Sequence, residues 1–403
     1  MQYILIFCSL IGLLFGAYFA VTCAGGLLFR RKAPKQTHPP VRRIAAVIAA
    51  RNEEEVIGPL VESLMAQKYP RELFDVFVIP NNCTDRTEDA AREAGAKIIP
   101  CSGVIRSKGD ALRCAFDYLT DLETPFDAYC IFDADNLVHP MFFQAVSDAR
   151  EEGLHVAQGY RDSKNPYDNW ISGSMSVFYW FMSRFYNTSR AALGMSAALN
   201  GTGFMVSDEL IRKMGWETVT LTEDLEFSAL CALEDVRIGW MPDARVYDEQ
   251  PNTFRDSVTQ RRRWSAGSLQ CFKRYARSLY MKKTLHALDM GVLFTGMLLN
   301  LVGALSFFVS AYMLIAQIIA SPEQAPVILL VTLAGVLGSS LMMSVACAAL
   351  FILEKKLTAR CIPAILLFGL FMLTWMPINI AAFFMPTPKW DAIRHTATHS
   401  APM

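Results

Sequence analysis

The apolar residues of this chain follow two regimes. Near both ends they run unbroken over bilayer-matching lengths, and in the middle they form short runs that stop on a polar residue. Tyr3 to Phe29 carries no charged side chain and is long enough to cross a hydrocarbon core of ~30 Å. It lacks a basic start, is too long for a cleaved leader, and is followed at once by Arg30-Arg31-Lys32. The positive-inside rule then predicts an external N-terminus and a cytosolic chain from Arg30 onward. Met290–Ala320, Val327–Leu353 and Cys361–Met385 are three further membrane-length segments. The loop Ser321–Pro326 has no basic residue and reads as external, whereas Glu354–Arg360 holds Lys355, Lys356 and Arg360 and reads as cytosolic. Cys361–Met385 is expected to span once, with a re-entrant or interfacial course as the alternative that Pro363 and Pro377 leave open. The basic tail with Lys389, Trp390, Arg394 and His395 follows it.

Between the ends the pattern predicts alternating strands and helices. Strands are expected at Ile44–Ala49, Phe74–Ile79, Lys97–Ile99 and Tyr129–Phe132, and helices at about Glu55–Gln67, Thr87–Ala94 and Lys108–Leu119. This alternation is that of a parallel α/β sheet with crossover helices. Such sheets bind ligands beyond the carboxyl ends of their strands, where Glu53, Asn81, Asp85 and Asp133 would emerge. The expected division is a membrane helix at 1–29, a linker at 30–40 and an α/β domain at 41–275. An interfacial segment at 276–289, a membrane region of about three segments at 290–385 and a tail at 386–403 complete it.

Composition refines this picture in two places. Lys+Arg and Asp+Glu are equal at 38 each, which argues against a nucleic-acid partner. The ten cysteines include no CxxC pair, and Cys8, Cys23, Cys347 and Cys361 fall in apolar segments. Reduced, buried thiols are expected, not a metal or disulfide framework.

Four short polar signatures carry the candidate chemistry. Asp133-Ala134-Asp135 follows a strand, where two carboxylates can face one hard cation together with substrate phosphate oxygens. Thr222-Glu223-Asp224 opens a predicted helix over Leu225–Leu233; Thr222 fits an N-cap, and Asp224 is the candidate base for a hydroxyl. In Gln260-Arg261-Arg262-Arg263-Trp264, helical spacing puts Gln260, Arg263 and Trp264 on one face. Arginine pairs in two-pronged fashion with phosphate, and tryptophan offers a flat wall to a ring. Gly201-Thr202-Gly203 would let backbone approach a ligand, and Lys108 would place a cation near phosphate. The aromatic stretch Trp170–Tyr186 reads as helix core first and as an acceptor wall second. No phosphate-loop or dinucleotide glycine pattern is present.

These motifs, in this order, resemble family 2 glycosyltransferases of the GT-A fold. The resemblance is strongest to the membrane-embedded polysaccharide synthases that make cellulose, chitin, hyaluronan or poly-N-acetylglucosamine. It covers roughly residues 41–275 by motif and the flanking helices by layout. It implies that Asp135, supported by Asp133, holds Mg2+ or Mn2+ with the nucleotide diphosphate, and that Asp224 is the base with Glu223 beside it. Gln260, Arg263 and Trp264 would bind the diphosphate and acceptor sugar, with Lys108 near the nucleotide. Glu53, Asn81 and Asp85 would line the uridine site, although the family places an aspartate where this chain has Asn81 or Asn82.

The expected activity is inverting, metal-dependent transfer from a UDP-sugar to a growing glycan, by a multi-pass protein of the cell membrane whose catalytic domain faces the cytosol. A single transfer to a lipid or lipid-linked acceptor is the alternative, and a non-enzymatic membrane scaffold the remote one. The expected partners are the donor, the acceptor and membrane lipids; a homo-oligomer or an accessory subunit is left open.

Overall fold

A computed structural model describes residues 1–28, 37–101 and 105–385; the basic run Arg30-Arg31-Lys32 and the tail lie outside the described residues. The first helix, α1 (Gln2–Leu28), is followed by β1 (Ile44–Ala50), α2 (Ile57–Met65), β2 (Phe74–Pro80), α3 (Thr87–Glu93), β3 (Lys97–Ile98), α4 (Lys108–Thr120) and β4 (Ala128–Asp133). The four strands fall on the predicted apolar runs. Helix α2 starts later than predicted because the Glu53 carbonyl first closes a turn with the amides of Val56 and Ile57.

The second half adds further elements, of which the pattern predicted the helices within Trp170–Tyr186 and at Leu225–Leu233. The added elements are β5 (Leu137–Val138), α5 (Phe142–Glu151), β6 (Val156–Ser163), α6 (Trp170–Phe181), α7 (Thr188–Ala192), β7 (Phe204–Ser207), α8 (Asp208–Met214), α9 (Glu223–Leu233) and β8 (Ile238–Asp248). One sheet results, ordered β3-β2-β1-β4-β7-β6-β8-β5. Its first half is parallel, while β7 runs antiparallel to both β4 and β6. Gly159 lets β6 fit between its neighbours, because a Cβ there would sit 2.4 Å from the Ala244 carbonyl and 2.6 Å from that of Gly203.

Strand alternation divides the core between the two faces of the sheet. Ile44, Ala46 and Ile48 join Leu60, Leu64, Phe142 and Phe143 on one side. Ala45 and Val47 join Leu112, Phe116, Trp216 and Phe227 on the other. Each fully buried Leu, Ile or Phe contributes ~1.5–3 kcal/mol, so both faces must be covered.

The chain ends in α10 (Phe254–Lys282), α11 (Leu285–Ala320), α12 (Ala325–Leu353), α13 (Ile362–Leu373) and α14 (Trp375–Phe384). Among the described residues four stretches, Gln2–Gly25, Leu285–Ala320, Pro322–Leu353 and Ala359–Phe384, are long and apolar enough to cross a membrane. The last of them is interrupted at Thr374, where Pro377 has no N–H to return to the Leu373 carbonyl. The loop after α12 packs on the sheet domain. Glu354 pairs with Arg184 at 2.6 Å, and the Tyr167 hydroxyl donates to the Lys356 carbonyl at 2.9 Å. Helix α1 is held from the other side. The Arg190 guanidinium grips both oxygens of Asp289 on α11 at 2.8 and 3.0 Å, and the Tyr18 hydroxyl of α1 donates to the same carboxylate at 2.5 Å.

The thiol expectation needs one correction. Cys101 and Cys114 form a disulfide across 13 residues, with Cα atoms 6.2 Å apart, because α4 turns Cys114 back toward the segment after β3. The other eight cysteines are free thiols.

Helix α10 crosses the start of α9 at Gly267, where an added Cβ would lie 2.5 Å from Cγ2 and 2.6 Å from Oγ1 of Thr222. Gly267→Ala is therefore expected to cost ~1–3 kcal/mol of stability and to displace Glu223 and Asp224. Thermal unfolding in detergent, set beside a donor-turnover assay, measures both effects.

Candidate active site

The last residue of β4 is Asp133, and the turn that follows is built by its neighbours. The Asp133 amide donates to Asn136 Oδ1 at 3.2 Å and to Thr202 Oγ1 at 3.0 Å, and the Thr202 hydroxyl also donates to Asn136. Thr202 thereby docks the Gly201-Thr202-Gly203 loop on the Asp133-Ala134-Asp135 turn. Gly203 has φ +63°, and a Cβ there would meet Val246 Cγ1 at 2.5 Å, so only glycine fits.

Strand β8 ends beside this turn at Asp248, which no motif had singled out. Oxygens of Asp133, Asp135 and Asp248 all lie within 4.8 Å of one another. Asn136 Nδ2 joins the last two, donating to Asp135 at 3.2 Å and to Asp248 at 3.0 Å. Three hard carboxylate donors at this spacing suit Mg2+ or Mn2+. The Arg161 guanidinium, from β6, holds the far oxygen of Asp248 through two N–H groups. Burial pushes the Asp248 carboxyl up to about 6, against the pull of Arg161. The signal that could have found Asp248 is the one that found Asp133: an acid ending a strand.

Beyond Asp133 opens a cavity of about 260 Å³. Lys108, the first residue of α4, reaches across it to Asp133 Oδ1 at 2.5 Å, the Gly201 carbonyl at 2.6 Å and Glu223 Oε1 at 3.3 Å. Burial would weaken this ammonium, but Asp133 and Glu223 outweigh it and hold Lys108 charged. Burial likewise raises Asp133, and the charges of Lys108 and Arg161 bring it below its ordinary value. Asp224 behaves differently: burial, then the charge of Glu223, pushes its carboxyl up to about 7.

Thr222 does precede α9, but its side chain makes no N-cap bond; its hydroxyl lies 3.7 Å from Cys271 Sγ on α10. The loop before it is fixed by Glu226, which accepts the amides of Val219 and Thr220 at 2.8 and 2.6 Å and the Tyr275 hydroxyl at 2.6 Å. Gln260, Arg263 and Trp264 all reach the cavity from one face of α10. Trp264 meets Tyr179 edge-on at 6.0 Å, so the aromatic stretch of α6 does form a wall. Sequence reasoning also missed Asn200. Its Nδ2 and Gln260 Oε1 are buried without a hydrogen-bond partner in a cavity that both residues line, the state expected of atoms that meet a ligand.

Glu53, Asn81 and Asp85 stand apart from these walls, on the adjoining ends of β1 and β2. The Asn81 amide donates to the Ala50 carbonyl at 2.7 Å, and Asp85 accepts the Thr87 hydroxyl at 2.5 Å and the Glu54 amide at 3.2 Å.

Residues 39–267 match the profile of the family described as Glycosyltransferase like family 2. The chain belongs to that family. Among curated relatives, the probable glycosyltransferase YdaM of Bacillus subtilis is 25% identical over 258 residues, covering 60% of this chain and 59% of that protein. The beta-monoglucosyldiacylglycerol synthase of Nostoc sp. is 27% identical over 260 residues, covering 62% and 54%. The poly-beta-1,6-N-acetyl-D-glucosamine synthase of Staphylococcus epidermidis is 22% identical over 243 residues, covering 58% and 56%. The chain thus spans only between half and three-fifths of the length of these relatives. A solved structure, the mannosyltransferase PcManGT from Pyrobaculum calidifontis in complex with GDP-Man and Mn2+, has a TM-score of 0.58 at 18% identity. It covers 92% of this chain and 99% of that one, a likeness of fold.

For this glycosyltransferase, Asp248→Asn is expected to weaken Mn2+ binding at least ~10-fold, the lower bound for losing even an outer partner of a metal ligand. Titration of the purified protein with Mn2+ measures it; unchanged affinity would exclude Asp248 from the cation site.

Proposed function

We propose that the protein transfers a sugar from a UDP-sugar, with inversion, to an acceptor hydroxyl presented at the cell membrane, its sheet domain facing the cytosol. The observation that carries this reading is one cavity shared by Asp133, Asp224 and the Gln260, Arg263 and Trp264 face of α10. Asp224 takes the proton from the acceptor hydroxyl as the sugar moves across in a single displacement. Lys108 and Arg263 stand where a departing diphosphate gathers charge. Trp264 and Tyr179 wall the acceptor ring. Asp133, Asp135 and Asp248 would hold a divalent cation, which would supply positive charge to offset that of the departing diphosphate. The basic loop with Lys355 and Lys356 lies on the same side as the sheet domain, which supports the cytosolic orientation.

A growing glycan is the first acceptor, on the strength of Gln260, Arg263 and Trp264 reaching the cavity together. A lipid-borne acceptor is the second. It is favoured by the footing of α10 on the interrupted apolar helix, where the Ser265 hydroxyl donates to Asn379 at 2.5 Å and Trp264 stacks on Trp375 at 6.2 Å. Relatives named for diacylglycerol and for poly-N-acetylglucosamine products support both.

The test is nucleotide release by the detergent-purified protein with a panel of UDP-sugars and GDP-mannose, with Mn2+ or with chelator, followed by product mass. Metal-dependent UDP release is expected; a ladder of masses marks a glycan synthase, a single increment on lipid the one-step transferase. Asp224→Asn is expected to lose ~10²–10⁴-fold in rate while remaining folded, and full activity in that variant would refute the assignment. An ionised Asp224 is needed to accept the proton, and its midpoint lies at about 7. The rate of the native enzyme should therefore fall about tenfold per pH unit below that midpoint and level off above it. A profile flat from pH 5.5 to 8, roughly the span across that midpoint, would assign the base elsewhere.

A further inference from the structure

Arg261 belongs to the same basic run as Arg263 but turns the other way, into the contact between α10 and the last apolar helix. It is completely buried. Its Nε donates to the Ser257 carbonyl at 3.2 Å, and one terminal nitrogen donates to the Thr374 hydroxyl at 2.7 Å. The guanidinium also lies 4.4 Å from the ring centre of Phe371 and 5.3 Å from that of Trp375. Every one of these partners is neutral, and among the described residues no carboxylate pairs with it. Burial accordingly pulls this guanidinium down to about 10, with no opposing charge to hold it up. Arg190, the other fully buried arginine among the largest core side chains, has Asp289 to neutralise it.

Among the described residues, three donors on Arg261 and its neighbours Trp375 and Ser257 have no acceptor. The second terminal nitrogen of Arg261, the indole nitrogen of Trp375 and the hydroxyl of Ser257, one helical turn before Arg261, are all buried without a partner. A buried cation beside unpartnered donors, with no acid facing it, is the complement of an anion with several acceptor oxygens. The site lies at Thr374, where the last membrane-length helix is interrupted. It is also one ring behind the catalytic cavity, since Trp264 and Phe178 line that cavity and both pack on Trp375, at 6.2 and 5.6 Å.

We propose that Arg261, Trp375 and Ser257 form a binding site for the phosphate group of a membrane lipid, seated at the break in the last apolar helix. This rests on the transferase reading above and gives its lipid-borne acceptor a phosphate. The lipid tail stays beside α13 and α14, and the bound phosphate bridges α10 to α14.

The test reads lipid retention and needs no turnover, so it can fail while the transferase reading stands. The full-length protein in detergent is mixed with dioleoyl phosphatidic acid, with dioleoylglycerol or with inorganic phosphate, and bound ligand is counted by native mass spectrometry. Selective retention of the phosphatidic acid is expected, falling ~10-fold or more in Arg261→Gln and partly recovering in Arg261→Lys, which keeps the charge but loses the fork. Arg274→Gln, at an exposed position further along α10, should retain lipid as the native protein does. Equal retention of phosphatidic acid and dioleoylglycerol, or an unaffected Arg261→Gln, would overturn the proposal. Binding of inorganic phosphate alone with the same affinity would assign the site to a free anion and also overturn the lipid. Should Arg261→Gln fail to fold, Trp375→Phe removes one donor and keeps the ring; it should still lower retention.

Discussion

The buried contact between Arg161 and Asp248 is the constraint on which the rest of the site depends. Three carboxylates packed within a few ångströms resist sharing a low-dielectric interior unless cations are built in beside them. Arg161 supplies one of those cations, and its reach does more than balance charge. It joins β6 to the end of β8, donates to the Asn200 carbonyl and sits over Tyr179 with 3.9 Å between charge and ring centre. The candidate cation site, the glycine loop and the aromatic wall are therefore set relative to one another by a single side chain. Lys108 repeats the device on the opposite flank, spanning Asp133 and Glu223.

Helix α10 joins this polar centre to the membrane-length helices. One face presents Gln260, Arg263 and Trp264 to the cavity, and Arg261 and Ser265 face α14 instead. Its later turns meet α9 and α11, where Tyr275 and Leu279 pack with Ala287 and Phe294. A helix so divided cannot move on one side without moving on the other. Positioning of the aromatic wall and the seating of α13 and α14 are one packing problem.

The parts legible in the sequence were those whose side chains obey a simple period. Strands β1, β2 and β4 are largely apolar runs closed by Arg51, Asn81 and Asp133, so their positions could be read directly. Strand β6 could not, because Gln158, Arg161, Asp162 and Ser163 are polar yet all buried, each satisfied by tertiary partners invisible to a local window. Strand β8 is masked by Pro242 and Asp243 at its exposed middle, and Asp248 was lost with it. The position of Thr222 before α9 was readable, but its bonding was not, since the hydroxyl answers to α10 and not to its own helix. The Cys101–Cys114 bridge likewise depends on a turn of the chain and not on spacing.

The attachment of α1 has a practical consequence. Tyr18 shares one carboxylate with Arg190, and the Ser189 hydroxyl donates to the Cys23 carbonyl, so the first apolar helix is stitched to α7 and α11 by polar bonds. Such a helix is not a tether that can be trimmed for convenience. A soluble fragment starting at the sheet would strip one wall from a fully buried guanidinium–carboxylate pair and admit water to it. Preparations of this enzyme for crystallisation or directed evolution should keep the first helix and the detergent or nanodisc it requires.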